Sequence, residues 1–143
     1  MIVYLGYGFN VNDLSTEDML EFIREYSPDE YESRDPDETD EEFVESYEWN
    51  NGSRAEVIRD IINEQAMRDH PEYEENPISF VQAYDQYVVY DSMRFPNDSP
   101  RAKLIPDEES FIEFIGKYLC TASLEFGNVY TGADNIDLNP WMD

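Results

Sequence analysis

The chain has 143 residues, enough for one domain that buries roughly two thirds of the surface its unfolded form exposes. Its hydrophobic fraction of 41% and aromatic fraction of 15% exclude a disordered acidic tail, and its single cysteine, Cys120, excludes a disulfide framework or a cysteine metal cluster. With 34 acidic residues against 9 basic ones the net charge is −25, which argues against direct binding to DNA, RNA or an anionic membrane and predicts a basic partner.

Residues 2 to 9, rich in Ile, Val, Tyr and Phe with loose alternation, predict a first and central strand. Two glycines interrupt this segment and no basic region precedes it, so it does not read as a secretory signal; no uncharged apolar run approaches the roughly 20 residues of a membrane helix. A lone cysteine suits a reducing compartment, so the expectation is a cytoplasmic protein. Gly6-Tyr7-Gly8 lacks the third glycine and lysine of a phosphate loop and reads as a strand end or bulge.

Ser15 is a predicted helix N-cap with Asp18 in the capping-box position, and Met19, Leu20, Phe22, Ile23 and Tyr26 form an apolar stripe that Pro28 ends. From Asp29 to Glu48 there are eleven acids and one base, Arg34. Its first half, with Pro28 and Pro36, predicts a loop; Phe43, Val44 and Tyr47 predict a short helix in the second. Asn50 to Ser53 predicts a turn and a fresh N-cap. Val57, Ile58, Ile61, Ile62 and Met67 then define a helix that His70-Pro71 ends.

Residues 78 to 95 are β-like, with Asp85-Gln86 as the turn of a hairpin; the turn lacks glycine, which leaves one bent strand or a helical start as alternatives. Pro96 to Pro100 predicts a loop. Pro106 to Glu109 has the proline and acids of a helix first turn, followed by a buried face of Phe111, Ile112, Ile115, Tyr118 and Leu119. Ser123 to Tyr130 predicts a last strand, and Gly132 to Asp143 a tail that Trp141 pins to the body. These elements predict an α+β fold over residues 1–143: a small, mostly antiparallel sheet of three or four strands packed with three or four helices, in a single domain.

Charge divides this domain into an acidic helical half, residues 13–75 with 23 acids and 5 bases, and a β-rich half with one helix, residues 76–143 with 11 acids and 4 bases. In the first half acids recur at helical spacing: Glu17, Glu21 and Glu25; Glu41 and Glu45; Glu56, Asp60 and Glu64. Each set lines one helix face at intervals of roughly 6 Å, and each like-charged pair costs about 0.2–0.5 kcal/mol that interleaved lysines would turn into a gain. Here only Arg24, Arg54, Arg59 and Arg68 offer relief. Such rows resemble the phosphates of a nucleic acid, spaced about 3.4 Å per strand. The plain alternatives are a solvated charged face and adaptation to high salt; six alanines and abundant large aromatics fit the latter poorly. The candidate partner-binding residues are Glu17, Glu21, Glu25, Asp29, Glu30, Asp35, Asp37, Glu38, Asp40, Glu41, Glu42, Glu45, Glu56, Asp60 and Glu64. Tyr26, Tyr31, Tyr47 and Tyr73 lie near them as possible anchors, with Tyr26 and Tyr47 expected in the core instead.

Catalytic and metal-binding signals are thin. The best calcium-loop match, from Asp35 through Asp37 and Thr39 to Glu41, has Asp40 where glycine belongs and Ser46 where the bidentate Glu belongs, so no metal or cofactor is expected. His70, the only histidine, precedes a proline at a helix end and reads as a cap or surface residue; Cys120 reads as core. The expectation is a protein that is not an enzyme.

In size, charge, paucity of lysine and richness in aromatics the whole chain resembles the small acidic anti-CRISPR and anti-restriction DNA mimics of phages and mobile elements. That resemblance is one of composition and aligns no motif. It implies a counter-defence inhibitor that fills the DNA- or guide-binding cleft of a Cas effector such as Cas9, or of a restriction nuclease. Two readings stand beside it: an interaction module, such as a regulatory or immunity protein, that binds one specific basic patch, and an enzyme. Oligomeric state has no signature in the sequence.

Overall fold

The computed structural model describes residues 2–73, 80–83, 86–90 and 104–132. Those residues form an α+β single domain whose four-stranded antiparallel sheet has the order β2-β3-β1-β4. Strand β1 (Ile2–Asn10) is interior, pairing with β3 (Tyr87–Tyr90) on one side and β4 (Phe126–Gly132) on the other; β2 (Phe80–Ala83) pairs with β3. β2 and β3 pair antiparallel, as expected of the hairpin, while Asp85 of its expected turn lies outside the described residues. The register of β1 against β4 shifts between Tyr4 and Gly6; Gly6-Tyr7-Gly8, read as a strand end or bulge, follows that irregularity and is itself paired within the strand.

Alternation sorts the strands into two faces. Phe9, Phe80, Val88 and Tyr90 point into the main core, where the three rings meet Phe111 and, for Phe80, also Phe114. Burying each such ring contributes about 1.5–3 kcal/mol. Ala83, Tyr87, Val89 and Val129 form a smaller cluster on the opposite face. Gly8 is on that second face, and a Cβ there would fall 2.6 Å from Val129 Cγ2 and 3.0 Å from the Val88 carbonyl oxygen. Only glycine fits the approach.

Helix α1 (Thr16–Tyr26) begins at the expected capping box: the Ser15 hydroxyl accepts the Asp18 amide and the Asp18 carboxylate accepts the Ser15 amide. Residues 28–32, expected as loop, instead form a short helix α2 (Pro28–Glu32), because Pro28 takes the first helical position, where its missing N–H is no loss, and Asp29 and Glu30 fill the first turn. Helix α3 (Asp40–Asn51) is longer than the short helix expected; a second capping box, Thr39 with Glu42, starts it, and it runs through the asparagines assigned to a turn. Gly52, at φ 119°, makes the break, and Ser53 caps α4 (Arg54–Asp69).

Helix α5 (Glu108–Gly116) starts two residues after Pro106, which was expected in its first turn, with Asp107 as N-cap. Tyr118 and Leu119 lie beyond its end and are still buried, as is Phe114, which the sequence reading left off the inner face. Cys120, expected in the core, is exposed. The chain has left the helix by then, so helical spacing no longer predicts its direction. Helix α4 packs on β2 and β3, α5 on β4, and α1, α2 and α3 on one another. Phe22, Ile23, Phe43, Val44, Tyr47, Ile58 and Ile62 are all buried, in accord with the stripes read from sequence. The loop at 96–100, the tail with Trp141, and the rest of the β-like stretch lie outside the described residues. No helix among those described is long and apolar enough to cross a membrane.

Candidate functional site

Because the apolar stripe of α1 faces inward, its carboxylates face outward: Glu17, Glu21 and Glu25 are all exposed. Helices α2 and α3 fold back beside α1, and this brings separate parts of the sequence together. Glu17, Glu21 and Arg24 of α1, Tyr31 of α2, and Asp40 and Glu41 of α3 line one cleft. A second cleft on the other side of α1 is lined by Asp18, Glu21 and Glu25 together with Lys117 and Cys120 from the turn after α5. Glu21 stands on the ridge between them. The first cleft is thus lined by four carboxylates and the cation Arg24, and the second by three carboxylates and Lys117.

The remaining candidates divide by what already holds them. Asp40 accepts a 2.7 Å hydrogen bond from Arg34, Glu30 accepts one from Asn51 at 3.0 Å, and Glu38 accepts one from the Ser46 hydroxyl at 3.4 Å. The Asp35 carboxylate, which is exposed, accepts the Asp37 amide at 2.9 Å through one of its oxygens. Glu42 caps α3. Among the described residues Glu17, Glu21, Glu25, Asp29, Asp37, Glu41 and Glu45 have no ion pair. Glu30, Asp35, Glu38 and Glu42 have none either, since the groups that hold them are neutral.

The third row, on α4, is different. Arg59 holds Asp60 at 2.7 Å and Arg68 holds Glu64 at 2.6 Å, while Glu56 is half-buried beside Gly52. Two of its three acids are thus offset within their own helix. Neither cleft on α1 is lined by an acid of the α4 row, and the acids that the first cleft brings together are those of α1 and the start of α3.

Within the second cleft Asp18 is structurally committed. Burial acts to raise its carboxyl, yet the hydrogen bonds from the Ser15 amide and hydroxyl, from Ser123 and from Cys120 outweigh that and hold it below its ordinary value of 3.8. Nearby, the Tyr118 hydroxyl donates to Asp69 at 2.5 Å, and burial together with that carboxylate raises the phenol well above 10.0. His70 caps α4, as expected, with its ring against Phe114 and Nδ1 3.3 Å from Glu72. No three His, Cys, Asp or Glu side chains among the described residues are grouped to hold a metal ion.

The aromatic candidates are largely internal. Tyr47 is 4% exposed and shares a 2.8 Å hydrogen bond with the Ser27 hydroxyl; Tyr26 and Tyr31 are half-buried, Tyr31 edge-on to Phe43. The side chain of Tyr73 lies outside the described residues. The exposed ring is one that the sequence reading passed over: Trp49, 89% exposed near the end of α3. Its signal was available, since Trp49 is two residues, about 200° of helical turn, from the inward Tyr47. No family model, characterised protein or solved structure matches this chain.

Proposed function

We propose that the protein is a non-enzymatic inhibitor that occupies the basic nucleic-acid-binding cleft of a nuclease, a Cas effector or a restriction enzyme, as a mimic of DNA. The observation that carries this reading is the junction of α1 and α3, where Glu17, Glu21 and Glu41 face one cleft lined by the single cation Arg24, beside Asp40, which Arg34 holds. Rows of like charge at helical spacing cost the free protein stability, and only a cationic partner returns that cost as binding energy. The opposite fields of inhibitor and nuclease steer their encounter and give a fast, salt-sensitive on-rate.

A second reading, an interaction module that grips one basic patch, is favoured by a separate observation: Trp49, a lone exposed indole, is the kind of group that concentrates binding energy in a small area. The two differ in how binding responds to neutralisation. For the mimic, Glu17→Gln, Glu21→Gln, Glu41→Gln and Glu45→Gln each weaken nuclease inhibition by a similar modest factor, and the losses accumulate. None of these four side chains caps a helix or pairs with an arginine, so the variants keep their fold. Inhibition that survives all four together, or that vanishes with one, overturns the mimic reading.

A further inference from the structure

Trp49 has no structural task. Its ring makes no aromatic contact, hydrogen bond or ion pair with the described residues, although an indole left in water forgoes the burial that most large apolar side chains achieve. Its surroundings state the chemistry of what would cover it. Glu45 is one turn before it on the same side of α3, and Glu42 lies two turns before it, nearly in line. Glu45, Ser46, Glu48 and Asn50 surround the indole in a shallow depression. Glu48 is turned to Arg54 at 2.5 Å, and Arg34 is committed to Asp40, so among the described residues Glu45 has no cation partner.

An anionic partner would meet Glu42 and Glu45 as like charges. A purely apolar partner would strip water from Glu45 with nothing in return. A planar, weakly hydrated cation satisfies both groups at once, because a guanidinium stacks on an indole face while its N–H edge reaches a carboxylate. We propose that Trp49 and Glu45 form a receptor for an arginine side chain of the basic partner protein. The inference rests on the reading that the partner is basic, and goes beyond it by assigning one ring and one carboxylate to one side-chain type. Lysine, a compact and strongly hydrated charge, fits the carboxylate but gains less from the face of the ring, which it cannot stack on.

The test uses labelled hexa-arginine and hexa-lysine peptides as probes of the full chain at about 0.15 M salt, read by fluorescence anisotropy. Wild type binds hexa-arginine several-fold more tightly than hexa-lysine. Trp49→Ala weakens hexa-arginine about five- to ten-fold and brings the two peptides level, while Trp49→Phe keeps part of the preference. Glu45→Gln weakens both peptides and reduces the arginine preference. An arginine preference that survives in Trp49→Ala overturns the receptor while leaving a basic partner in place. Equal binding of the two peptides by wild type does the same. Absence of binding to either peptide, even at low salt, removes the basic partner and the receptor with it. A dimer in sedimentation that Trp49→Ala dissolves gives the indole to a second copy of the chain and also overturns the assignment.

Discussion

The Arg34 guanidinium donates a 2.7 Å hydrogen bond to the Asp40 carboxylate and lies over the ring of Phe43, 4.8 Å from its centroid. Arg34 is the one base among the eleven acids between Asp29 and Glu48, and it ties the segment between α2 and α3 to the first turn of α3. Arg34→Gln releases that tie. The expected result is faster cleavage of residues 33–39 by a glutamate-specific protease with the rest of the chain still protected; cleavage at the wild-type rate contradicts it.

Glu21 has a like charge one turn away on each side, at Glu17 and Glu25, and no ion pair among the described residues. Glu21→Gln relieves both repulsions and stabilises the free protein by about 0.5 kcal/mol in denaturant titration at low salt. Added salt stabilises wild type more than the variant, because screening already performs part of what the substitution does.

Backbone fit is tested at two glycines. Gly8→Ala forces a Cβ into Val129 and the Val88 carbonyl and costs about 1–3 kcal/mol. Gly52→Ala must hold φ at 119° at the break between α3 and α4, with its Cβ 2.9 Å from a Glu56 oxygen, and costs about 1 kcal/mol or more. Thermal unfolding measures both, and Gly8→Ala shows the larger loss.

Burial raises the phenols of Tyr7, Tyr26, Tyr47, Tyr87 and Tyr118, and Asp69 adds to the effect at Tyr118. A folded-state value above the unfolded 10.0 means that this stability is fully present below pH 10 and is lost as pH rises through the folded values. Phenolate absorbance therefore lags free tyrosine above pH 10 and then rises together with alkaline unfolding. Tyr118→Phe removes the hydrogen bond to Asp69, costs about 1 kcal/mol near neutral pH and flattens the alkaline limb.

Much of the fold was legible because it rests on local rules. The Ser15 capping box, the Phe43, Val44 and Tyr47 stripe, and the inner position of the first strand all follow from spacing and cap chemistry within a few residues. What escaped depends on changes of phase or on tertiary contact. Pro28 read as a stop and is also a start, since proline suits the first turn of a helix as well as it ends the preceding one. Cys120 was assigned by helical phase past the point where the helix ends. The acid rows were legible one by one, but no spacing in the sequence announces that Glu17 and Glu21 share a cleft with Asp40 and Glu41, or that Arg59 and Arg68 offset the row on α4.

The central claim is that the α1 and α3 acids stand in for nucleic-acid phosphates on a basic partner. The direct measurement is capture of Cas effectors and restriction nucleases by the immobilised protein, with duplex DNA as competitor across a salt titration. The account predicts a complex that weakens steeply with salt, that duplex DNA displaces, and that the Glu17, Glu21, Glu41 and Glu45 to Gln variant forms poorly. A complex indifferent to DNA, or a failure to capture any such nuclease at low salt, contradicts it.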